Sequence, residues 1–141
     1  MVGLADGDTI TVLVNEHEKL KVRLAGIDAP EKGQPFGVAS KTHLSEQVFG
    51  RMVTVEWTKR DRYRRVVGRV LSDGEDVCLD QIRAGLAWHY KQYANEQTAG
   101  RHAAYAAAEE QARQDKVGLW SQPNPIPPWE FRHPERTGAR K

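Results

Sequence analysis

The stretch TITVLVNEHEKLKVRLAGIDAPE, residues 9–31, decides the fold. Ile10, Val12 and Val14 alternate with Thr9, Thr11 and Leu13, and Leu20, Val22 and Leu24 alternate with Lys21, Arg23 and Ala25. A period of two is the pattern of strands with one face on a core. The polar NEHE between the runs joins them as a turn. The alternation sets Arg23 on the face opposite the apolar residues, pointing away from the core. The second strand then enters a loop carrying Asp28 and Glu31, with Pro30 stiffening the backbone between them. Taken alone, such a loop is ordinary turn chemistry, or the start of a helix with a glutamate near its positive end. The sharper reading is that the charges at 23, 28 and 31 converge on one site.

Working outward, Asp6-Gly7 ahead of the first strand is a hairpin-turn pair. Residues 32–37 are loop chemistry, and a helix is predicted from Val38 to Phe49, with Leu44 and Val48 on one face and Gly50 ending it. MVTVEW (52–57) and VVGRVL (66–71) read as strands, the first with Val53, Val55 and Trp57 on one face. Asp73-Gly74 turns the chain to a short strand near Asp76–Val77. A short helix, Leu79 to Ala84, ends at Gly85, and residues 98–117, rich in Ala, Glu, Gln and Arg, form another that Gly118 stops. The strands are too few and short for a sandwich. The economical solution is an α+β fold, mainly β: a five-stranded barrel of the oligonucleotide/oligosaccharide-binding (OB) type with three helices packed outside.

That domain spans residues 1–121, and residues 122–141 form an extended tail, Pro-rich and then basic, without its own core. Trp129 and Phe131 are placed to dock part of the tail on the body, and the last ten residues are expected to be mobile. A chain of 141 residues supports one real core, and 39% apolar with 28% charged residues is an ordinary globular composition. The net charge of +2 permits a polyanionic partner without demanding one. Cys78 is the only cysteine, which excludes an intramolecular disulfide and a Cys-based zinc site. No apolar run approaches the ~20 residues of a membrane-spanning helix, so no membrane partner is expected. The sequence opens within a few residues of a turn, with little room for a preceding strand; the expectation is that an N-terminal segment, a secretion signal, has been removed.

Asp8, Asp28 and Glu31 fall at strand ends or in loops. Hard cations prefer carboxylates and backbone carbonyls, and DAPE offers two carboxylates with the Ala29 carbonyl between them. A helix–loop–helix calcium loop is excluded, because twelve positions from Asp6 end at His17 rather than a glutamate. Any metal must be gathered from separate segments. In KRDRYRRVVGR (59–69), basic residues crowd around Tyr63. Arginines hold phosphates bidentately and a ring stacks on a base, so this segment suits a nucleic-acid strand; a solvated basic hairpin is the plain alternative. Trp88, Tyr90 and Tyr93 either stack on bases or cover the core beside the last helix, and His89 reads as a packing or surface residue.

DGDT (6–9), RLAGIDAPE (23–31), DRYRR (61–65) and IRAGLAWHY (82–90) together resemble the staphylococcal nuclease family in order and spacing, over Asp6 to about Ser121. The resemblance implies an OB barrel with three helices. It implies that Asp8, Asp28 and the Ala29 carbonyl bind Ca2+, that Glu31 is the general base, and that Arg23 and Arg65 bind the scissile phosphate. It gives Tyr63, with Arg62 beside it, a nucleotide contact, and Trp88 and Tyr90 a nucleotide pocket. The implied activity is Ca2+-dependent, endo- or exonucleolytic hydrolysis of single-stranded or locally melted DNA and RNA. It would show little sequence preference and leave 3′-phosphates, carried out by a secreted or periplasmic monomer. Three departures stand out. Arg64 replaces a glycine, Cys78 stands where a polar helix cap is expected, a loss of ~1 kcal/mol at most, and the first strand is shortened. The competing reading is a non-catalytic nucleic-acid-binding OB module, against which stand the five charges Asp8, Arg23, Asp28, Glu31 and Arg65.

Overall fold

The structure, a computed structural model, describes residues 3–61, 63–90 and 99–132. Strands β1 (Gly3–Asp6), β2 (Thr9–Val14) and β3 (Glu18–Leu24) form an antiparallel meander. The two-residue β4 (Ile27–Asp28) follows, then helix α1 (Gly37–Val48), β5 (Thr54–Arg60), β6 (Val66–Ser72) and the short β7 (Glu75–Asp76). Helix α2 (Val77–Arg83), the two-residue β8 (Trp88–His89), α3 (Ala99–Asp115), a 3-10 turn (Gly118–Ser121) and a one-turn α4 (Pro128–Arg132) complete the chain.

The main sheet runs β1-β2-β3-β6-β5, with β7 added to β6. The chain leaves β3, crosses through α1 and returns so that β6 lies parallel to β3, with Val22 opposite Val66. Five strands curl in this order into the half-barrel of the OB type; β1 and β5 are not paired with each other among the described residues, so the barrel is partly open. β6 alternates strictly between buried and half-buried residues, and Ile10, Val22, Leu24, Val66 and Val70 meet Leu44 and Val48 of α1 and Ile82 of α2 in one core. A second, smaller core of Trp88, Ala112, Leu119 and Trp120 lies at the end of α3.

Most predicted elements recur with shifted ends. The N-terminal residues do form a strand: Gly3–Asp6 pairs with β2, so little room was still room enough. The strand drawn over 52–57 begins at Thr54 and runs to Arg60, leaving Met52 95% exposed and Trp57 half exposed at the barrel's open side. The missing cap at Cys78 is not missing. Helix α2 begins two residues earlier than the predicted start, Asp76 is its N-cap, and its carboxylate accepts from the Leu79 N–H at 3.1 Å. Cys78 is then an interior helix residue, fully buried. The tail is not wholly extended, since Pro128–Arg132 forms a helical turn and Trp129 docks on Trp88. Of the last ten residues, 133–141 lie outside those described.

Candidate active site

Hairpin register builds the first half of the site. Thr9 lies opposite Arg23, so Asp8, at the turn preceding β2, sits beside the end of β3. The Leu24 N–H donates to the Asp8 carbonyl at 2.8 Å and closes that corner. The second half comes from the DAPE loop. The short β4–β8 ladder, with Asp28 opposite Trp88, holds Asp28 in place, and the Ala29 N–H donates to Asp8 Oδ2 at 2.8 Å. Residues 20 positions apart thereby converge: Arg23 Nη2 lies 3.6 Å from Asp8 Oδ2 and 3.7 Å from Asp28 Oδ1. The Asp28 side chain is fully buried and that of Arg23 only 12% exposed.

Two supports beneath this cluster escape sequence reading. Gln81 of α2, fully buried, donates to the carbonyls of Gly7 and Ser40 at 2.9 and 3.0 Å, tying the Asp8 turn to α1. Gly37, the first residue of α1, lies against the DAPE loop so closely that a Cβ there would fall 1.9 Å from the Glu31 carbonyl oxygen. Glu31 is half-buried, and its N–H donates to Gln34 Oε1 at 3.0 Å.

The site holds more buried acid than two guanidinium groups balance comfortably. Burial pushes Asp28 up to about 6, against the pull of Arg132 and Arg23, with the Asp8 charge adding to the rise. Asp6, beside Asp8, is pushed up to about 7, first by burial and then by that neighbour's hydrogen bond and charge. Burial would raise Asp8 as well, but Arg23, Asp6 and the Ala29 amide outweigh it and hold the carboxyl below its ordinary value. The acid groups around Arg23 are thus held unequally, Asp8 below its ordinary value and Asp6 and Asp28 above theirs.

Asp8 and Asp28 each turn an oxygen towards Arg23 Nη2, and two hard oxygen donors so close together have the chemistry that suits a divalent cation keeping part of its water shell. No cluster of three or more acidic, histidine or cysteine side chains forms a complete cage among the described residues. Two carboxylates with carbonyl and water ligands are the set available.

Arg65 is not in this cluster. Its Nε donates to Asp61 Oδ2 at 2.7 Å, and its guanidinium lies 5.3 Å from the centre of the exposed Tyr63 ring. Arg64 has φ of 65°, the left-handed conformation for which glycine is suited, so the departure at this position does fall on an unusual backbone. Arg62 lies outside the described residues. Trp88 is buried in the second core, 4.5 Å from Trp120 and 5.5 Å from Trp129, so packing occupies it here. Tyr90 is half-buried and stacks on Trp129 at 5.4 Å. His89 is fully buried against His102 and Tyr105, as the packing reading has it. Tyr93 lies outside the described residues.

Arg132, assigned in sequence only to a basic tail, reaches the centre of the site. It donates to both Asp28 oxygens, at 3.2 and 2.7 Å, and to Glu31 Oε1. The signal that could have found it is the spacing of Trp129 and Arg132, three apart and thus on one side of a helical turn.

The family model described as staphylococcal nuclease homologue matches residues 21–122. An uncharacterised endonuclease of Escherichia coli is 41% identical over 134 residues, covering 94% of this chain and 83% of its own. One of Haemophilus influenzae is 39% identical over 136 residues, covering 96% and 73%. The micrococcal nuclease of Shigella flexneri is 38% identical over 148 aligned positions, covering 99% and 82%. With the half-barrel and the Asp8–Arg23–Asp28 convergence, the match establishes that this chain belongs to the staphylococcal nuclease family and is a nuclease by that membership.

Proposed function

We propose that the protein hydrolyses phosphodiester bonds of DNA and RNA in a Ca2+-dependent reaction with little sequence preference, leaving 3′-phosphates. The observation that carries this reading is the convergence of Asp8, Arg23 and Asp28 beside Glu31. Asp8 and Asp28, with the Ala29 carbonyl, would hold the cation. When bound, the cation supplies positive charge that polarises a phosphoryl oxygen and favours ionisation of water. Arg23, held charged by Asp8, Asp28 and Asp6 against the cost of burial, sets a cation against the charge that grows on the phosphate. Glu31 lies next to Asp28 across Arg132 and would be the carboxylate that takes or directs the proton of an attacking water. Arg65 and Tyr63, whose guanidinium and ring lie 5.3 Å apart, would give the strand a cationic and an aromatic contact, and Tyr90 would offer a further ring for stacking. Phosphate and stacking contacts do not read base edges, which supports weak sequence preference and action on single-stranded or locally melted substrate.

Digestion of single-stranded DNA and RNA with CaCl2 or with EGTA tests the reading, with the position of the product phosphate read by phosphatase sensitivity and end-labelling. Cleavage that persists in EGTA sinks the metal, and 5′-phosphate products sink the regiochemistry. Salt-dependent binding without cleavage under any divalent ion favours the non-catalytic module. Full activity in Glu31→Gln or Arg65→Ala sinks those roles. The same reading includes an exported monomer, checked by fractionating cells that express the full gene and by light scattering of the product.

A further inference from the structure

Residues 122–132 add a feature that the nuclease reading does not require. The segment leaves the 3-10 turn, passes Gln34 and ends in α4 over the site. It is held at three points. The Gln34 side-chain amide donates to the Ile126 carbonyl while Gln34 Oε1 accepts from the Glu31 N–H, so one residue links the tail to the loop of the candidate base. Trp129 stacks on Tyr90, with planes 20° apart, and meets Trp88 edge-on. Arg132 spans both oxygens of Asp28 and one of Glu31.

The last two contacts stand where a substrate or cofactor group would go. An aromatic ring stacked on Tyr90 takes the place of a base. A guanidinium on Asp28 and Glu31 takes up the lone pairs through which the first would hold a cation and the second a water. Bidentate charge-assisted contacts of this kind are among the stronger hydrogen bonds. Asp28 cannot give both oxygens to Arg132 and remain an open ligand.

We infer that Ile126–Arg132 is an intramolecular strap that competes with the divalent cation and the nucleotide for the site, with Arg132 standing in for the cation and Trp129 for a base. This rests on the reading of Asp8 and Asp28 as the cation's ligands. The strap lowers apparent Ca2+ affinity by the fraction of molecules in which it is undocked. Docking in nine molecules of ten makes that about tenfold. Release is then part of loading, and substrate that displaces Trp129 also frees Asp28.

Isothermal titration of CaCl2 into the full chain, with no nucleic acid present, tests the strap. Wild type is compared with Arg132→Ala, which removes the competing cation, and with Trp129→Ala, which loosens the strap and leaves every site charge in place; circular dichroism confirms that both fold. The expected result is Ca2+ binding about tenfold tighter in Arg132→Ala and several-fold tighter in Trp129→Ala. Equal affinity in all three proteins overturns the strap and leaves the metal reading intact. Weaker binding in the variants overturns it too, by making the tail part of the ligand set. Tightening in Arg132→Ala alone reduces the effect to local charge and overturns the strap. Absence of Ca2+ binding in all three defeats the metal reading and the strap with it.

Discussion

Asp61 grips Arg65 twice: Oδ2 accepts from the side-chain Nε at 2.7 Å and Oδ1 accepts from the backbone N–H at 3.0 Å. The same Oδ1 accepts from the Tyr63 N–H at 2.8 Å. One carboxylate thus shapes the basic turn and aims its last arginine. Loss of Arg65 as a transition-state contact is expected to cost ~10^2–10^3-fold in kcat. Asp61→Ala, which leaves the arginine but not its aim, is expected to cost ~10–100-fold. Steady-state hydrolysis of a single-stranded oligonucleotide measures both, and wild-type rates in Asp61→Ala would show that the turn does not position Arg65.

Acid acts on the same turn. Burial works against the Asp61 carboxylate, but the amides of Arg65 and Tyr63 and the Arg65 guanidinium outweigh it and hold the group below its ordinary value. A depressed carboxyl stabilises the fold above its unfolded pKa of about 4 and loses that contribution as pH falls through the folded value. The Asp61→Asn protein is therefore expected to show a shallower loss of stability than wild type as pH falls below about 4. Urea titrations at pH 3 and pH 6 measure it, and parallel losses in the two proteins would remove Asp61 from the account.

Arg64 sits inside this turn at φ of 65°. A side chain in the left-handed region costs ~1 kcal/mol or more, which glycine does not pay, while glycine loses ~0.5–1 kcal/mol through the freedom of its unfolded chain. Arg64→Gly is expected to be neutral to ~1 kcal/mol stabilising by urea denaturation. A loss above ~1 kcal/mol would mean that the Arg64 side chain stabilises the turn by more than its backbone strains it.

Sequence reading reached the parts of the site whose neighbours are local. Alternation in 20–25 turned Arg23 away from the core, and the Thr9–Arg23 register then carried it to Asp8. The DAPE loop placed Asp28 close behind. What it missed depends on tertiary contact. Arg132 meets Asp28 across 104 residues, and the spacing in WEFR puts Trp129 and Arg132 on one side of a turn without saying which surface that side covers. Apolar spacing alone starts α2 too late, because it shows where apolar residues repeat, whereas the first turn is set by Asp76. Asp76 in turn is held by Tyr105 of α3, whose hydroxyl donates to it at 2.6 Å.

That contact predicts a graded series. Tyr105→Phe leaves Asp76 as a cap and removes one hydrogen bond to a carboxylate, an expected loss of ~1.5–3 kcal/mol. Asp76→Ala adds a lost cap of ~1 kcal/mol and strands the buried Tyr105 hydroxyl, so it is expected to cost more. Cys78, pushed up to about 12, first by burial and then by the Asp76 charge, is expected to resist a thiol reagent at pH 8 in the native protein and to react at once in urea. Urea midpoints and thiol titration check these. A larger loss in Tyr105→Phe than in Asp76→Ala would show that the hydroxyl matters through some other partner.

Gly37 gives the most direct test of how the fold holds Glu31. Replacing glycine by alanine in a helix ordinarily stabilises by up to ~1 kcal/mol. Here the added Cβ would lie 1.9 Å from the Glu31 carbonyl oxygen, 2.8 Å from its carbonyl carbon and 3.2 Å from Lys32 Cα. All three are backbone atoms, so no side chain can swing aside, and either α1 or the DAPE loop must move. α1 is anchored through Leu44 and Val48 in the core, each fully buried, while the loop is held by the Ala29–Asp8 and Glu31–Gln34 contacts. The two closest atoms both belong to the Glu31 backbone, so the strain is centred on Glu31. Gly37→Ala is therefore expected to keep its circular dichroism spectrum and to lose ~10–100-fold in kcat, the size of effect that a misplacement of about 1 Å produces. Gly33→Ala is the matched control, since a Cβ there meets nothing within 4 Å. Equal activity in the two variants would show that Glu31 need not stand where this loop puts it, and would remove it from the reaction as a positioned base.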